Sequence, residues 1–306
     1  INLTNIRNLV MAGGVALNCV ANGKLLRSGL IDNLWIQPCA GDGGSALGAA
    51  MHAAYNEFDI LRKCDKTDKQ KSSLLGPSFS NEQIQNTLDV LAFNYVKIDN
   101  QNELIEETAK ILENGQVIGL FQDRMEYGPR ALGSRSIIAN AQNQAMQKNL
   151  NLKIKFRESF RPFAPIVLQE FAHEWFDDVT NSPYMLLTTQ VNDDKLLNLK
   201  DSDSNKFGIE QLNVVRSQIP AVTHVDNSAR LQTVTKDNNP FVHELLTEFH
   251  KNTGCPVLVN TSFNIRGEPI VCTPYDALKC FMNTNMDYLI LEHFILKKAD
   301  QSDQLV

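Results

Sequence analysis

The chain of 306 residues contains no uninterrupted apolar run long enough to cross a bilayer, so no membrane-spanning helix can be read from it. Nothing at its start has the layout of a signal peptide. It opens at Ile1 and reaches an apolar strand almost at once, which reads as a piece of something longer. None of the six cysteines (Cys19, Cys39, Cys64, Cys255, Cys272 and Cys280) stands in a C-x-x-C pair, which removes support for a zinc ribbon. Reduced thiols in a cytoplasmic protein are the simplest expectation. The six histidines form no H-x-H or H-x-x-x-H pair. Internal repeats and low-complexity tracts are missing too. So is positive net charge: at −6 the chain is a poor general binder of nucleic acid or anionic lipid. What is present, 43% hydrophobic and 21% charged residues, is a globular composition at a length that suits two domains.

The charge is unevenly placed. Residues 124–161 hold eight basic side chains and two acidic ones, Glu126 and Glu158, while the rest of the chain holds 21 basic and 33 acidic. One short basic segment in an acidic protein points to a compact anionic ligand.

Strand, glycine turn and helix occur twice within the first 56 residues: Asn8 to Met11, Gly13-Gly14 and a helix from Val15 to Leu26, then Leu34 to Gln37, Gly41 to Gly44 and an Ala-rich helix to about Tyr55. This is the local pattern of a nucleotide-binding α/β domain. Residues 63–78 are polar and punctuated, and are expected to link two domains. Ser80 to Gln83 is a capping box opening a helix to about Phe93. Strands are expected at 95–98, 116–121, 163–168, 221–225, 229–235, 255–259, 288–291 and 294–297. Helices are expected at 101–113, 170–176, 241–251 and 274–282, and a long mobile excursion at 192–218.

Four stretches offer chemistry. Asp123 to Ser136, DRMEYGPRALGSRS, follows a strand and carries Arg124, Arg130 and Arg135 among glycines. Arginine forks suit phosphate or carboxylate, and Gly128 and Gly133 let backbone amides approach an anion. The alternative is a solvated turn with surface ion pairs. In Lys153 to Pro165, KIKFRESFRPFAP, a strand would put Lys153, Lys155 and Arg157 on one face, either around an anion or as the guard of an exposed edge. Arg161 follows in the same segment. Asn260, Ser262 and Asn264 end an apolar strand, where open α/β sheets bind ligands; a self-satisfied turn is the other reading. Gly13, Gly14 and Asn18, with Gly43 and Gly44, are candidate phosphate contacts at helix starts. Asp42, the sole acid of its loop, is a metal candidate or a helix cap. His224-Val-Asp226 and Arg230-Leu-Gln232 could line the same cleft.

Taken in order, GGVALNCVANGKL, QPCAGDGGSALGAA, GLFQDRMEYGPRALGSRSI, NLKIKFRESFRPFAP, PAVTHVDNSARLQTV and NTGCPVLVNTSFNIRGEPIVCTPYDA resemble the O-carbamoyltransferases of the nodulation-protein-U and cephalosporin-hydroxymethyl type, aminoglycoside carbamoyltransferases included. The resemblance implies an α/β (α+β) fold: residues 1–62 as the end of an actin/sugar-kinase-like, threonylcarbamoyl transferase-like domain, a linker at 63–78, and a YrdC-like mixed-sheet domain at 79–306. Lys155-x-Arg157 and Ser262-x-Asn264 look like the YrdC nucleotide-site signature.

The implied chemistry has two steps. ATP and carbamoyl phosphate give carbamoyl-adenylate with release of phosphate and pyrophosphate. The carbamoyl group then moves to the hydroxyl of a small-molecule acceptor, helped by a divalent metal, iron in the best-known relatives; Mg is a further expectation with ATP. On this resemblance Lys155, Arg157, Asn260, Ser262 and Asn264 hold the nucleotide. Arg124, Arg130, Arg135 and Arg161 are the candidate catalytic cations on carbamoyl phosphate and the leaving groups, and Asp42 matches a metal ligand whose partners lie upstream of Ile1. The two substrates bring about six negative charges into one cleft, which the local basic excess would offset. Competing readings are a threonylcarbamoyl-adenylate synthase of tRNA modification and a non-catalytic RNA-binding module, the latter disfavoured by the acidity of the rest of the chain.

Overall fold

The computed structural model describes residues 4–63, 68–177, 181–199, 203 and 206–302. Residues 64–67 of the expected linker, Cys64 among them, lie outside that set.

Residues 4–56 build a small parallel α/β unit. Strand β1 (Asn8–Met11) pairs in parallel with β2 (Asn33–Ile36), from Asn8↔Asn33 to Met11↔Ile36. The expected helix at Val15–Leu26 is divided. Gly14–Leu17 is a 3-10 turn, and α1 (Cys19–Arg27) starts afresh because the Asn18 side chain accepts from the Ala21 N–H at 3.1 Å. Helix α2 (Ser45–Asn56) follows the Asp42–Gly44 turn and buries none of its side chains.

The other strands among the described residues form one mixed sheet: β3 (Val96–Lys97), β4 (Ile118–Phe121), β5 (Arg135–Asn140), β6 (Ala164–Leu168), β7 (Leu187–Gln190), β8 (Ser228–Val234), β9 (Val257–Ser262), β10 (Tyr288–Leu291) and β11 (Phe294–Lys297). Their order is β3-β11-β10-β4-β5-β9-β6-β8-β7, parallel at β10/β4 and β6/β8 and antiparallel elsewhere. Helix α3 (Asn81–Val90) starts at the Ser80/Gln83 capping box. Helices α4 (Gln101–Glu113) and α5 (Pro240–Thr253) pack together, α4 on β5 and α5 on β6 and β9; α6 (Pro274–Met282) packs on β4 and β10. The core between them is apolar, with Ile137, Leu258, Phe281 and Leu289 buried.

Two expectations are corrected. The 153–157 strand is instead the end of a π-helical turn, Leu150–Ile154, after which Phe156 takes φ 48°. A strand that put three cations on one face would have stacked like charges; the turn separates exposed Lys153 from buried Lys155. Residues 221–225 are not a strand: Ala221, Val222 and Thr223 are buried in a turn where the Thr223 hydroxyl bonds the Ile219 carbonyl (2.9 Å) and Val222 N–H bonds it too (3.2 Å), and Val225 is exposed. Of the expected 192–218 excursion, residues 200–202, 204 and 205 lie outside the described set; the described ends are joined by Leu197 N–H to Arg216 O and Gln218 N–H to Lys195 O, both 2.9 Å. Strands β5 and β7 were not foreseen.

Helix α1 docks on β7. Gly23 makes the close approach possible: a Cβ there would lie 2.5 Å from the Thr188 carbonyl oxygen. Asn22 donates to Leu186 O (3.1 Å) and Arg27 to Thr188 O (2.5 Å). The first residues of α1 are thereby carried to one end of the large sheet.

Candidate functional site

Sheet register brings distant residues to that end. Ala164 faces Asn260 across β6/β9, Ser136 faces Ser262 across β5/β9, and Ile166 faces Gln232 across β6/β8. The finish of β9, the entry to β6 and the early part of β8 therefore lie side by side. They border a cleft of about 390 Å³, a volume typical of small-ligand sites.

Four arginines line it: Arg130 from the loop after β4, Arg157 and Arg161 from the segment before β6, and Arg230 from β8. Cys19 and Val20 of α1 form the opposite wall, and no aspartate or glutamate is among the described lining residues. Arg230 has no hydrogen-bond or ion-pair partner among the described residues, and the buried Nε of Arg130 has none either. Burial, then the neighbouring Arg130, push Arg230 down to about 10. Burial and then Arg161 lower Arg157. Arg161 bonds Glu158 at 3.1 Å. His224, also in the lining, sits below its ordinary value through burial, and its Nδ1 is 3.0 Å from Ser228 Oγ. An acid-free crowd of guanidinium groups repels itself until an anion enters.

Beside the cleft, Lys155 (3% exposed) meets the Ser262–Asn264 turn. Its ammonium donates to Ser262 Oγ (3.1 Å), Asn264 O (3.0 Å), Asn264 Oδ1 (2.9 Å) and the Ser262 carbonyl. Burial, then Arg157, push Lys155 down to about 7. Phe263 pins this turn. Its ring lies over Gly119 of β4, where a Cβ would stand 2.7 Å from the ring's Cζ.

The structure thus gathers Arg130, Arg157, Arg161 and Ser262 at the cleft, with Lys155 and Asn264 held beside Ser262. It places other candidates elsewhere. Arg124 is exposed and donates to Leu75 O at 3.2 Å. Arg135 is 0% exposed and faces backbone carbonyls, not the cleft. Asn260 is buried, donating to Ala131 O (3.2 Å) and Gln232 Oε1 (2.6 Å), so it ties down the loop that carries Arg130. Gly13, Gly14, Asn18, Gly43 and Gly44 do not line the cleft; they shape the turns of the small unit. Asp42 opens the turn before α2, and among the described residues no three His, Cys, Asp or Glu side chains come together to hold a metal. These residues do not fit a metal centre by themselves. His224 and Arg230, which the sequence offered as lining the same cleft without giving either a role, both line it.

The mixed sheet thus ends in a cleft lined by four arginines and by no carboxylate among the described lining residues. In sequence comparison, residues 109–298 match the carbamoyltransferase C-terminus and residues 2–51 the carbamoyltransferase N-terminus. The chain belongs to the carbamoyltransferase family. It is 53% identical over 297 residues to the uncharacterised protein sll1178 of Synechocystis, covering 97% of this chain and 48% of that one. It is 38% identical to the nodulation protein NolO of Bradyrhizobium diazoefficiens (98% and 51% covered) and 37% identical to nodulation protein U of Rhizobium tropici (87% and 40%). The chain spans about half the length of these curated relatives. Among solved structures, full-length HypF in its phosphate- and nucleotide-bound form matches over 67% of this chain and 23% of its own at 15% identity and a TM-score of 0.42. No helix among the described residues is long and apolar enough to cross a membrane.

Proposed function

We propose that the cleft at the end of the large sheet binds the phosphate groups of carbamoyl phosphate and ATP and supports formation of carbamoyl-adenylate. The observation that carries this reading is the lining: Arg130, Arg157, Arg161 and Arg230 with no carboxylate among them. In the proposed reaction, water and carbamoyl phosphate yield carbamate and phosphate. A carbamate oxygen then attacks the α-phosphorus of ATP, the α–β anhydride bond breaks and pyrophosphate leaves. No side chain need act as nucleophile; the work is positioning and charge stabilisation. The four guanidinium groups would stabilise the leaving phosphate and pyrophosphate. Lys155 is already ringed by protein oxygens, so its proposed part is to fix the Ser262–Asn264 turn against the nucleotide. YrdC-like describes this domain and actin-like the unit before it. Transfer of the carbamoyl group to the hydroxyl of a small acceptor is the proposed second step, seated in the small unit that matches the family's N-terminus.

The test is ATP–pyrophosphate exchange in the presence of carbamoyl phosphate. Arg157→Ala should lower it at least tenfold, about 1.4 kcal/mol of transition-state stabilisation. Unchanged exchange would remove Arg157 from the site.

A further inference from the structure

Asn151 lies in the π-helical turn Leu150–Ile154, far from the cleft lining in role but adjacent to it in sequence, and it is 0% exposed. A fully buried amide must find partners for its NH2 and its oxygen. Here every partner is on the segment that carries the cleft arginines. The NH2 donates to Arg161 O at 2.9 Å and to Ser159 O at 3.1 Å. The Oδ1 accepts from Arg157 Nε at 2.7 Å. The main-chain oxygen of Asn151 accepts from the Arg157 N–H at 3.0 Å, across the left-handed Phe156. With Nε engaged and the Phe163 ring 4.9 Å from its Cζ, Arg157 is held at its root and along one face. Its two terminal nitrogens are left for the cleft. A wide turn is a recurrent feature of functional helices, and this one supplies the geometry that lets one amide grip both Arg157 and the backbone beyond it.

We infer that Asn151 is a positioning residue: it orients Arg157, and through Ser159 and Arg161 the loop around it, for an anion in the cleft. This rests on the reading of the cleft as a phosphate site and goes beyond it by naming the group that pre-sets the arginine fork. Pre-organisation of this kind raises affinity by removing the ordering cost at binding.

The experiment titrates inorganic pyrophosphate calorimetrically into the wild-type protein, Asn151→Ala, Asn151→Asp, Arg157→Ala and the double variant Asn151→Ala/Arg157→Ala, each first checked for wild-type circular dichroism. The Arg157 Nε–H resonance is followed in parallel by NMR and assigned by its loss in Arg157→Ala. Asn151→Ala is expected to weaken pyrophosphate at least fivefold and to broaden or shift the Nε–H signal. In the Arg157→Ala background the same change should have almost no further effect. Asn151→Asp, which keeps an oxygen facing Nε, should keep the signal, and it decides the matter if the alanine variant does not fold. Equal loss in both backgrounds, wild-type binding in Asn151→Ala, or an Nε–H signal insensitive to position 151 overturns the inference. A wild-type protein that binds no pyrophosphate overturns the reading of the cleft instead, and the Nε–H signal still reports whether Asn151 holds Arg157.

Discussion

Arg130 and Arg135 come from one fourteen-residue stretch, Asp123 to Ser136, yet they live in different surroundings. The guanidinium of Arg135 lies over the Phe121 ring, 3.4 Å from its centroid, and donates to the carbonyls of Gln122 (2.8 Å), Ser134 (3.0 Å), Asp123 (3.1 Å) and Pro77 (3.3 Å). Burial pushes it down to about 10, with Glu126 the nearest charge acting the other way. At the cleft, Arg130 leaves its Nε unpartnered and faces other arginines. Both terminal nitrogens of the first guanidinium are satisfied by main chain, although its buried Nε, like that of Arg130, has no partner, and it closes the loop between β4 and β5. The second is left wanting acceptors. Counting acceptors around each arginine, rather than arginines in a motif, separates a structural cation from a ligand-binding one.

That contrast is sharpened first by truncating both. Arg135→Ala strands the Gln122 and Asp123 carbonyls, since those of Ser134 and Pro77 keep a backbone donor, and opens a cavity beside Phe121; it is expected to cost about 3 kcal/mol of stability. Arg130→Ala should leave stability within about 0.5 kcal/mol of wild type. Urea unfolding reads both, and equal midpoints for the two variants would erase the distinction. A somewhat smaller effect is expected from ligand. Pyrophosphate at a hundred times its dissociation constant should stabilise the protein by about 2.7 kcal/mol. Arg230→Met should remove most of that gain without lowering the ligand-free midpoint, since it withdraws one charge from a self-repelling group. A thermal melt at matched ionic strength checks this, and an undiminished shift would take Arg230 out of the site.

The third expectation concerns pH and has a defined sign. Lys155 is pushed from an ordinary 10.5 down to about 7 by burial and Arg157. Between those values the unfolded chain holds a proton that the folded chain releases. Stability should therefore rise with pH from about 7 toward 10, by at most about 1.4 kcal/mol per pH unit from this group. The oxygens of Ser262 and Asn264 favour the ammonium and flatten the slope. Lys155→Met should abolish the difference; denaturation midpoints at pH 7 and 9 measure it, and parallel profiles in the two proteins would refute it.

Much of the architecture was readable because it follows local rules. The Ser80 capping box, the Gly254 stop of α5 and the twice-repeated strand–turn–helix of the small unit all formed where residue types called for them. Lys155 and Ser262, 107 residues apart, were joined by motif and meet in space. What was not readable depended on partners. Strand β5 opens with arginine and serine, so its burial could not be inferred from hydropathy; it follows from neighbours β4 and β9. The fates of Arg130 and Arg135 differ through carbonyls contributed by Pro77 and Gln122, which no spacing announces. Asn151 is one of several polar residues in KNLNLKIK, and its task appears only once the chain turns back at Phe156.

The smallest effect tests whether the cleft is tuned as well as charged. Glu158 sits between Arg161 (3.1 Å) and Arg266 (3.6 Å), on the solvent side of the arginine group. It is the carboxylate that Arg161 bonds here, so an incoming phosphate must draw that guanidinium away from it. Exposed pairs of this kind are worth about 0–1 kcal/mol. Glu158→Gln removes the competing negative charge, and pyrophosphate affinity should rise about two- to fivefold, with little change in stability. Because the gain is electrostatic and partly exposed, it should shrink as salt is raised toward 1 M, where the screening length falls to about 3 Å. Weaker binding in Glu158→Gln would mean that the carboxylate aims Arg161 into the cleft rather than holding it back. Glu158 would then join Asn151 among the groups that set the arginine geometry, and the boundary between structural and ligand-binding cations would pass through Arg161 itself.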